Sequence, residues 1–173
     1  MKRQEATAMA DAAFEQLLNL EMEMATFTSD WLHCDQLSNY VAQMVSHDRR
    51  DPLRHSNLLS SALNELLEMS FRSEAQEGEL ACVFYRHEQV ERIELSFPCR
   101  SQQHRFYAEL VRGLKHRGKL ANYVKVIADE TAPLEQAILL GLAVNYDAEI
   151  ELRASAAEAL TFVVDLPLER LLT

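Results

Sequence analysis

Glycine is scarce in this sequence, with four residues in a chain of 173. A loop that wraps a phosphate group needs glycine, because the backbone must approach the ligand closely and turn its N–H groups toward it. The four glycines, Gly78, Gly113, Gly118 and Gly141, stand apart from one another. The chain therefore lacks the sequence pattern of a conventional phosphate-binding loop.

Cysteine is also rare. The three residues, Cys34, Cys82 and Cys99, are odd in number and widely spaced, which excludes a disulfide framework and a zinc-binding pattern. A reducing cytoplasm is the compartment that this usage favours. Cys34 and Cys82 are predicted to be small buried hydrophobes. Cys99 follows a proline at a predicted strand end, and we expect it to be more exposed.

Positive charge and long apolar runs are lacking as well. Seventeen basic residues face 27 acidic ones, for a formal charge of −10, which argues against a nucleic-acid partner and an anionic membrane surface. No segment is long and apolar enough to span a bilayer. The first 16 residues carry acids where a signal peptide has its apolar run. The sequence thus predicts a cytoplasmic protein without nucleic-acid or membrane partners.

The apolar periodicity that is present predicts a mixture of helices and strands. Helices are predicted over 30–46, 57–71, 101–116, 119–131 and 133–146, and residues 4–16 could add another; strands are predicted over 18–24, 80–87, 90–97, 148–154 and 159–166. Pro52 is expected to end the first long helix, and Ser56 or Asn57 to cap the next. Helices segregated from a mixed or antiparallel sheet make an α+β two-layer sandwich.

The predicted helix over 57–71, NLLSSALNELLEMSF, carries two acids in an apolar and small-residue run. Its core, ALNELLEMS, resembles the N-box of the GHKL group, the gyrase, Hsp90, histidine kinase and MutL ATP-binding domains with the Bergerat fold. The closing hairpin, EIELRA…ALTFVVDLPLE, is also similar to the last strands of that group. The resemblance covers about residues 17–168 and is nearest to small stand-alone bacterial GHKL-like proteins, which include partner-switching kinases.

This resemblance implies a nucleotide site on that helix. It would use ATP and Mg²⁺, with Glu65 as the catalytic acid. The surrounding N-box positions would be Asn64, Glu65, Glu68 and Met69, and the metal-binding asparagine of the family falls on Met69. A thioether is a soft, weak ligand that does not replace an amide oxygen on magnesium.

Two other family motifs are missing. Where the family has Asp-x-Gly-x-Gly after the second strand, this chain has LSFPCRSQQ, with neither Asp nor Gly. Where a second glycine-rich stretch should face the phosphates, the chain has TAPLEQAILLG, with Gly141 inside a helix and an acid at Glu135. We therefore expect a degenerate, non-catalytic domain without cofactor or metal, which binds another signalling protein. The alternative is an ATP-binding kinase or ATPase that uses Glu65.

The residues also allow simpler interpretations. Glu65 and Glu68 could be solvated helix acids beside the core, with Glu68 paired to Arg72 one turn later. The segment HDRRDPLRH, which contains His47 and His55, is predicted to be a solvated basic connector rather than a metal site.

The organisation predicted for the chain is a single domain over 1–173, with residues 1–30 as an N-terminal extension that adds one strand. That strand is rich in methionine and leucine, which suits adaptable contacts. It could lie on a sheet edge or cross to a second subunit. A homodimer is therefore expected.

Overall fold

The computed structural model describes residues 13–73, 75–154 and 158–173. Within these ranges the elements, in chain order, are β1 (Glu15–Glu23), α1 (Met24–Phe27), α2 (Leu32–Ser46), α3 (Pro52–Phe71), β2 (Glu79–His87), β3 (Val90–Pro98), α4 (Ser101–Gly113), α5 (Lys119–Ala128), α6 (Leu134–Asn145), β4 (Glu149–Ala154), β5 (Ala159–Leu166) and α7 (Leu168–Leu171). The helix suggested for residues 4–16 falls mostly outside the described residues, and from Glu15 the chain is a strand.

The five strands form one sheet in the order β1-β2-β3-β5-β4, and each neighbouring pair is antiparallel. The predicted α+β two-layer class is confirmed, with helices on one face of the sheet. Strand β1 lies at one edge and pairs with β2 of its own chain. Of the two positions considered for the N-terminal strand, the chain adopts the sheet edge.

The helix-facing side of the sheet forms the core. Because side chains alternate across a strand, register partners line up in apolar rows, such as Cys82 with Leu95 and Leu95 with Phe162. All three side chains are buried. Tyr107 of α4 packs edge-on against Phe162, with 5.2 Å between ring centroids, which fixes α4 on the sheet.

The opposite side of the sheet carries polar cross-strand pairs. Arg92 of β3 donates to both carboxylate oxygens of Asp165 of β5, at 2.7 and 2.9 Å, and the two residues are register partners. Ser96 and Thr161, four residues further along the strand pair, share a hydrogen bond of 2.7 Å. The two faces therefore differ as the alternation of the sequence predicts.

Helix α3 begins earlier than predicted. Pro52 starts this helix rather than only ending the preceding one, and Asp51 caps it by accepting a hydrogen bond from the Arg54 amide at 3.2 Å. Proline suits the first turn, where its missing N–H has no intrahelical partner. The predicted inward face is confirmed, because all its members are buried: Leu59, Ala62, Leu63, Leu66 and Ser70.

The segment that follows β1 belongs to the same core. Met24 and Phe27 of α1 are fully buried, and the Met24 amide donates to the Gly78 carbonyl at 2.9 Å. Among the described helices, none has the length and apolar character needed to cross a membrane.

Candidate functional site

Helix α3 carries the four residues to which the resemblance assigns nucleotide chemistry. Asn64, Glu65 and Glu68 are half-buried, whereas Met69 is fully buried. The Asn64 amide donates to the Glu68 carboxylate at 3.0 Å, one turn along the helix. The partner expected for Glu68 was Arg72, and this is wrong, since the Arg72 guanidinium lies 5.3 Å from the centre of the Trp31 ring instead.

Glu65 is in an environment that opposes its ionisation. Burial raises the pKa of Glu65, and the charge of Glu68 raises it further. Tyr146, at the end of α6, lies near enough for the Glu65 charge to act on it. Burial is the main cause that raises the pKa of Tyr146, the Glu65 charge adds to it, and a hydrogen bond with Ser61 opposes it. A carboxyl group of this kind holds a proton more readily than an exposed glutamate does.

Met69 lies where the resemblance would place the magnesium ligand. The side chain is fully buried and belongs to the main apolar core together with Leu66 and Phe162. It therefore lies inside the protein, out of reach of a solvent-exposed phosphate or metal ion. Helical spacing puts it one turn from Glu65 on the same side of α3, but deeper in the molecule.

The end of β3, where the resemblance would place the Asp-x-Gly-x-Gly segment, is packed with apolar side chains. Phe97 is fully buried, and Pro98 lies against Gly78. A Cβ atom at Gly78 would lie 2.6 Å from the Pro98 Cγ, and the φ angle of Gly78 is +96°. Gly78 is thus needed for a tight turn, and its role is structural.

The expectation that Cys99 is more exposed than the other two cysteines is wrong. Its side chain is 3% exposed, and its amide donates to the Glu158 carbonyl, so it is buried rather than exposed. Burial raises the pKa of the Cys99 thiol to about 11. Burial, together with the Glu68 charge, raises the pKa of Cys34 to about 12. The prediction that Cys34 and Cys82 are buried is confirmed.

Gly141 lies in the interior of α6 and packs against Tyr123. A Cβ atom there would be 3.5 Å from the tyrosine ring, which is ordinary van der Waals contact. Glu135 lies in the first turn of the same helix. Burial is the main cause that raises the pKa of Tyr107, and the charge of Glu135 raises it further. Neither residue forms a cradle for a phosphate.

A surface cavity of about 560 Å³ lies beyond the C-terminal end of α3. Its lining comes from the α3–β2 connection, the end of β3, the start of α4 and the β4–β5 turn: Ser73, Ala75, Gln76, Glu77, Pro98, Cys99, Arg100, Gln103 and Glu158. None of the four predicted site residues is among these described lining residues. The cavity and the acids of α3 are therefore separate features.

The likeness to known proteins is one of fold. A chain in the crystal structure of the SiaB–SiaC complex from Pseudomonas aeruginosa superposes with a TM-score of 0.63 and 9% sequence identity, over 94% of this chain and 96% of that chain. No family model and no curated protein sequence matches the chain. The shared fold extends over nearly the full length of both chains, so the α+β sandwich is common to them.

The residues present do not fit a magnesium nucleotide. The position that the resemblance gives to the amide ligand holds a buried thioether, and the end of β3 offers Phe97 and Pro98 in place of an acid and glycines. Across residues 13–73, 75–154 and 158–173, no group of three or more His, Cys, Asp or Glu side chains could hold a metal ion. Helix α3 therefore presents Glu65 and Glu68 without an amide ligand for a metal ion at position 69.

A second acidic centre was missed at the sequence level. Glu91 of β3 is 1% exposed at its side chain and lies 2.9 Å from both the Arg49 Nε and the Arg86 Nε. His55 is fully buried, with its Nε2 3.3 Å from Glu91 Oε1 and its Nδ1 2.6 Å from the Ser46 hydroxyl. We call Arg49, His55, Arg86 and Glu91 the Glu91 cluster.

This cluster corrects the interpretation of HDRRDPLRH as a solvated connector. Two residues of this segment, Arg49 and His55, turn inward onto Glu91, because a buried carboxylate needs partners. Burial alone would raise the pKa of Glu91, but the close contacts with His55 and Arg49 and the charges of Arg86 and Arg49 outweigh it, so the pKa is lowered. The alternation of side chains along β3 could have indicated that Glu91 is buried, because Glu91 lies on the inward side of the strand with Ile93 and Leu95.

Proposed function

We propose that this chain is a cytoplasmic bacterial signalling or regulatory protein that acts by binding another protein. The observation that carries the proposal is the full burial of Met69, at the position where a nucleotide-hydrolysing relative would place its metal ligand. The fold supports a regulatory role, because a solved structure that contains the same fold is a complex of two proteins. In this proposal the GHKL-like scaffold is kept, and the nucleotide chemistry is lost.

The competing proposal is an ATP-binding kinase or ATPase of the partner-switch type. One observation favours it, namely that the pKa of Glu65 is raised by burial, as the pKa of a general base is in many enzymes. In this proposal Glu65 would accept the proton of the attacking group. It would need nucleotide contacts other than those of the family.

Thermal unfolding in the presence of Mg-ATP separates the two proposals. A ligand that binds only the folded state stabilises it by about 2.7 kcal/mol at a hundredfold excess over its dissociation constant. We expect no change in Tm at millimolar ATP, with or without magnesium. A Tm that rises with ATP and rises further with magnesium would support the enzyme and remove the regulatory proposal.

We also propose that the protein is a homodimer. Strand β1 is an edge strand, and the adjacent α2 exposes Tyr40 and Met44 at 64% and 44%. Exposed edges and apolar side chains favour association. Deleting residues 1–25 would also remove the buried Met24, so the sharper variant is Tyr40→Asp with Met44→Asp. Light scattering should give twice the chain mass of 19.8 kDa for the original protein. The monomer mass for the original protein would remove the homodimer.

A further inference from the structure

Helix α2 presents an exposed aromatic side chain that no described residue covers. Tyr40 is 64% exposed, and neither its ring nor its hydroxyl group has a ring contact or a hydrogen bond within the part of the chain that the structure describes. Tyrosine combines a large apolar ring with one polar tip, and such side chains are concentrated at the centres of protein interfaces. Tyr40 is therefore a candidate anchor for another protein surface.

A surface cavity of about 140 Å³ lies between α2 and the edge strand β1, and we call it the β1–α2 cavity. Its apolar wall is formed by four side chains: Leu17, Leu18, Met44 and Val45. The register between β1 and β2 shifts at Leu17, and a bulge of this kind can turn an additional side chain toward a surface. A cavity of about 150 Å³ admits a benzene ring, so the β1–α2 cavity is close to the size that a tyrosine ring needs.

The rest of the lining of the β1–α2 cavity is polar and consists of His47, Asp48 and Arg86. The Arg86 guanidinium donates to both carboxylate oxygens of Asp48, at 2.9 and 3.1 Å, and the Asp48 side chain is 54% exposed. Each carboxylate oxygen accepts more than one hydrogen bond, so Asp48 keeps room for a further donor. The cavity thus offers an apolar wall together with a hydrogen-bond acceptor, which matches the ring and the hydroxyl group of a tyrosine.

Tyr40 and the β1–α2 cavity lie on one surface, which therefore carries both halves of a contact. Met44 is exposed and lines the cavity, and it follows Tyr40 by one helical turn. Residues four apart lie on the same side of a helix. When a two-fold axis relates two copies of a chain, a side chain of each copy meets the same site on the other. Each Tyr40 can therefore enter the cavity of the opposite copy.

The charge of α2 also suits a second copy of the chain. Two copies with a formal charge of −10 each repel one another, and this repulsion is weakest where acids are sparse. Helix α2 contains one carboxylate, Asp35, and neither lysine nor arginine. Its exposed amides, Gln36, Asn39 and Gln43, both donate and accept hydrogen bonds, so each can pair with an identical side chain of another copy. The outer side of α2 is thus compatible with itself in charge and in hydrogen bonding.

We propose that the outer side of α2 is the contact between two copies of this chain, with Tyr40 of each copy seated in the β1–α2 cavity of the other. The inference rests on the homodimer proposed above, and it adds the residues and the geometry of the contact. The ring packs against Leu17, Leu18 and Met44, and the hydroxyl group donates to the Asp48 carboxylate. Because the contact occurs twice in each dimer, a change to either half of it acts twice.

Sedimentation velocity over a range of protein concentrations measures the dissociation constant of the dimer. Tyr40→Ala removes the inserted ring, and Met44→Trp fills the cavity. Each should raise the dissociation constant about a hundredfold, as two copies of a contact worth about tenfold. His47→Trp, at another exposed residue of the lining, should act like Met44→Trp. Leu53→Ala, at an exposed leucine of α3, is the matched control and should leave the constant unchanged.

An equimolar mixture of the Tyr40→Ala and Met44→Trp proteins tests the pairing itself. The first variant keeps an open cavity and the second keeps its tyrosine, so a mixed dimer retains one of the two contacts. Neither variant retains a contact with its own copies. The mixed dimer should therefore form about tenfold more tightly than a dimer of either variant alone.

Three results overturn the inference. A dissociation constant that Tyr40→Ala leaves unchanged means that the dimer forms through another surface, and the homodimer then stays in place. A mixture that associates no more tightly than its components shows that Tyr40 and the cavity are not partners. An original protein that is monomeric at every concentration, including one whose Tyr40 binds a different protein, removes the contact together with the homodimer. The regulatory function is tested separately, by the response of the Tm to Mg-ATP.

Discussion

Glu65 and Glu91 are two glutamates withdrawn from solvent in opposite electrostatic surroundings. Glu91 lies between Arg49, Arg86 and His55, and its pKa is lowered although burial opposes this. The strongest charge that acts on Glu65 is another carboxylate, that of Glu68, and its pKa is raised. Burial favours the neutral form of both acids, and the neighbours decide the outcome.

The difference separates a structural acid from a candidate chemical one. Glu91 accepts hydrogen bonds from Arg49, in the loop before helix α3, and from Arg86 of β2, so it joins that loop to the sheet. Glu65 has no such cationic cluster around it and keeps a partly exposed carboxyl group beside Tyr146. The raised pKa of Glu65 therefore occurs on a helix whose Met69 offers no hard ligand for magnesium.

The largest effect is expected for Glu91→Gln. This change leaves Arg49 and Arg86 without their buried counter-charge, and breaking a buried pair in this way costs about 3–5 kcal/mol. Urea unfolding should show the loss as a lower midpoint. Because the folded-state pKa of Glu91 is lowered, its contribution is present above the unfolded-state pKa and is lost as the pH falls through the folded value.

The control for this change is Glu94→Gln on the same strand. Glu94 faces the other side of the sheet, is 22% exposed at its side chain and pairs with Arg153. We expect a cost below about 1 kcal/mol there, as for a partly exposed ion pair. Equal costs at the two positions would show that the Glu91 cluster adds nothing special to stability.

An intermediate effect is expected for Met69→Asn, which introduces the ligand type that the resemblance would place there. The amide would be buried in an apolar core, so the free energy of unfolding should fall by about 1–3 kcal/mol. Magnesium-dependent stabilisation by ATP should not appear, because the side chain does not reach the surface. Differential scanning calorimetry with and without Mg-ATP measures both quantities.

Leu53→Asn is the matched control, since Leu53 is 71% exposed on the same helix. Its effect should stay within about 0.5 kcal/mol. If Met69→Asn created a magnesium-dependent response to ATP, the site would be a nucleotide site that lacks one residue, and the view of Met69 as a core residue would be wrong.

The smallest effect is expected for Glu65→Gln. The folded-state pKa of Glu65 is raised, so its ionisation costs stability as the pH rises from the unfolded-state pKa through the folded value. Removing the charge should therefore stabilise the protein at pH 7, by less than about 1 kcal/mol because the group is partly exposed. Glu79→Gln, at an exposed glutamate of β2, should change nothing measurable. A loss of stability in Glu65→Gln would point to a partner for the ionised carboxylate.

The sequence predicted the elements well because the signals are local. The strand alternation of β1 and the inward face of α3 follow from spacings of two, three and four residues. The start of α3 was missed because Pro52 was taken as a helix end, whereas proline is equally suited to a first turn when an acid such as Asp51 precedes it. The candidate site was predicted by resemblance, which placed Glu65 and Met69 on one helix without giving the depth of either.

The sequence by itself determined the order of helices and strands and the acid-bearing helix. These features depend on residue type and spacing along the chain. Only the tertiary structure decided that Arg49 reaches Glu91 across 42 positions, that His55 is buried beside it, and that Met69 lies in the core. Such contacts join residues far apart in sequence, and they form because a buried charge must find its partners wherever the fold brings them.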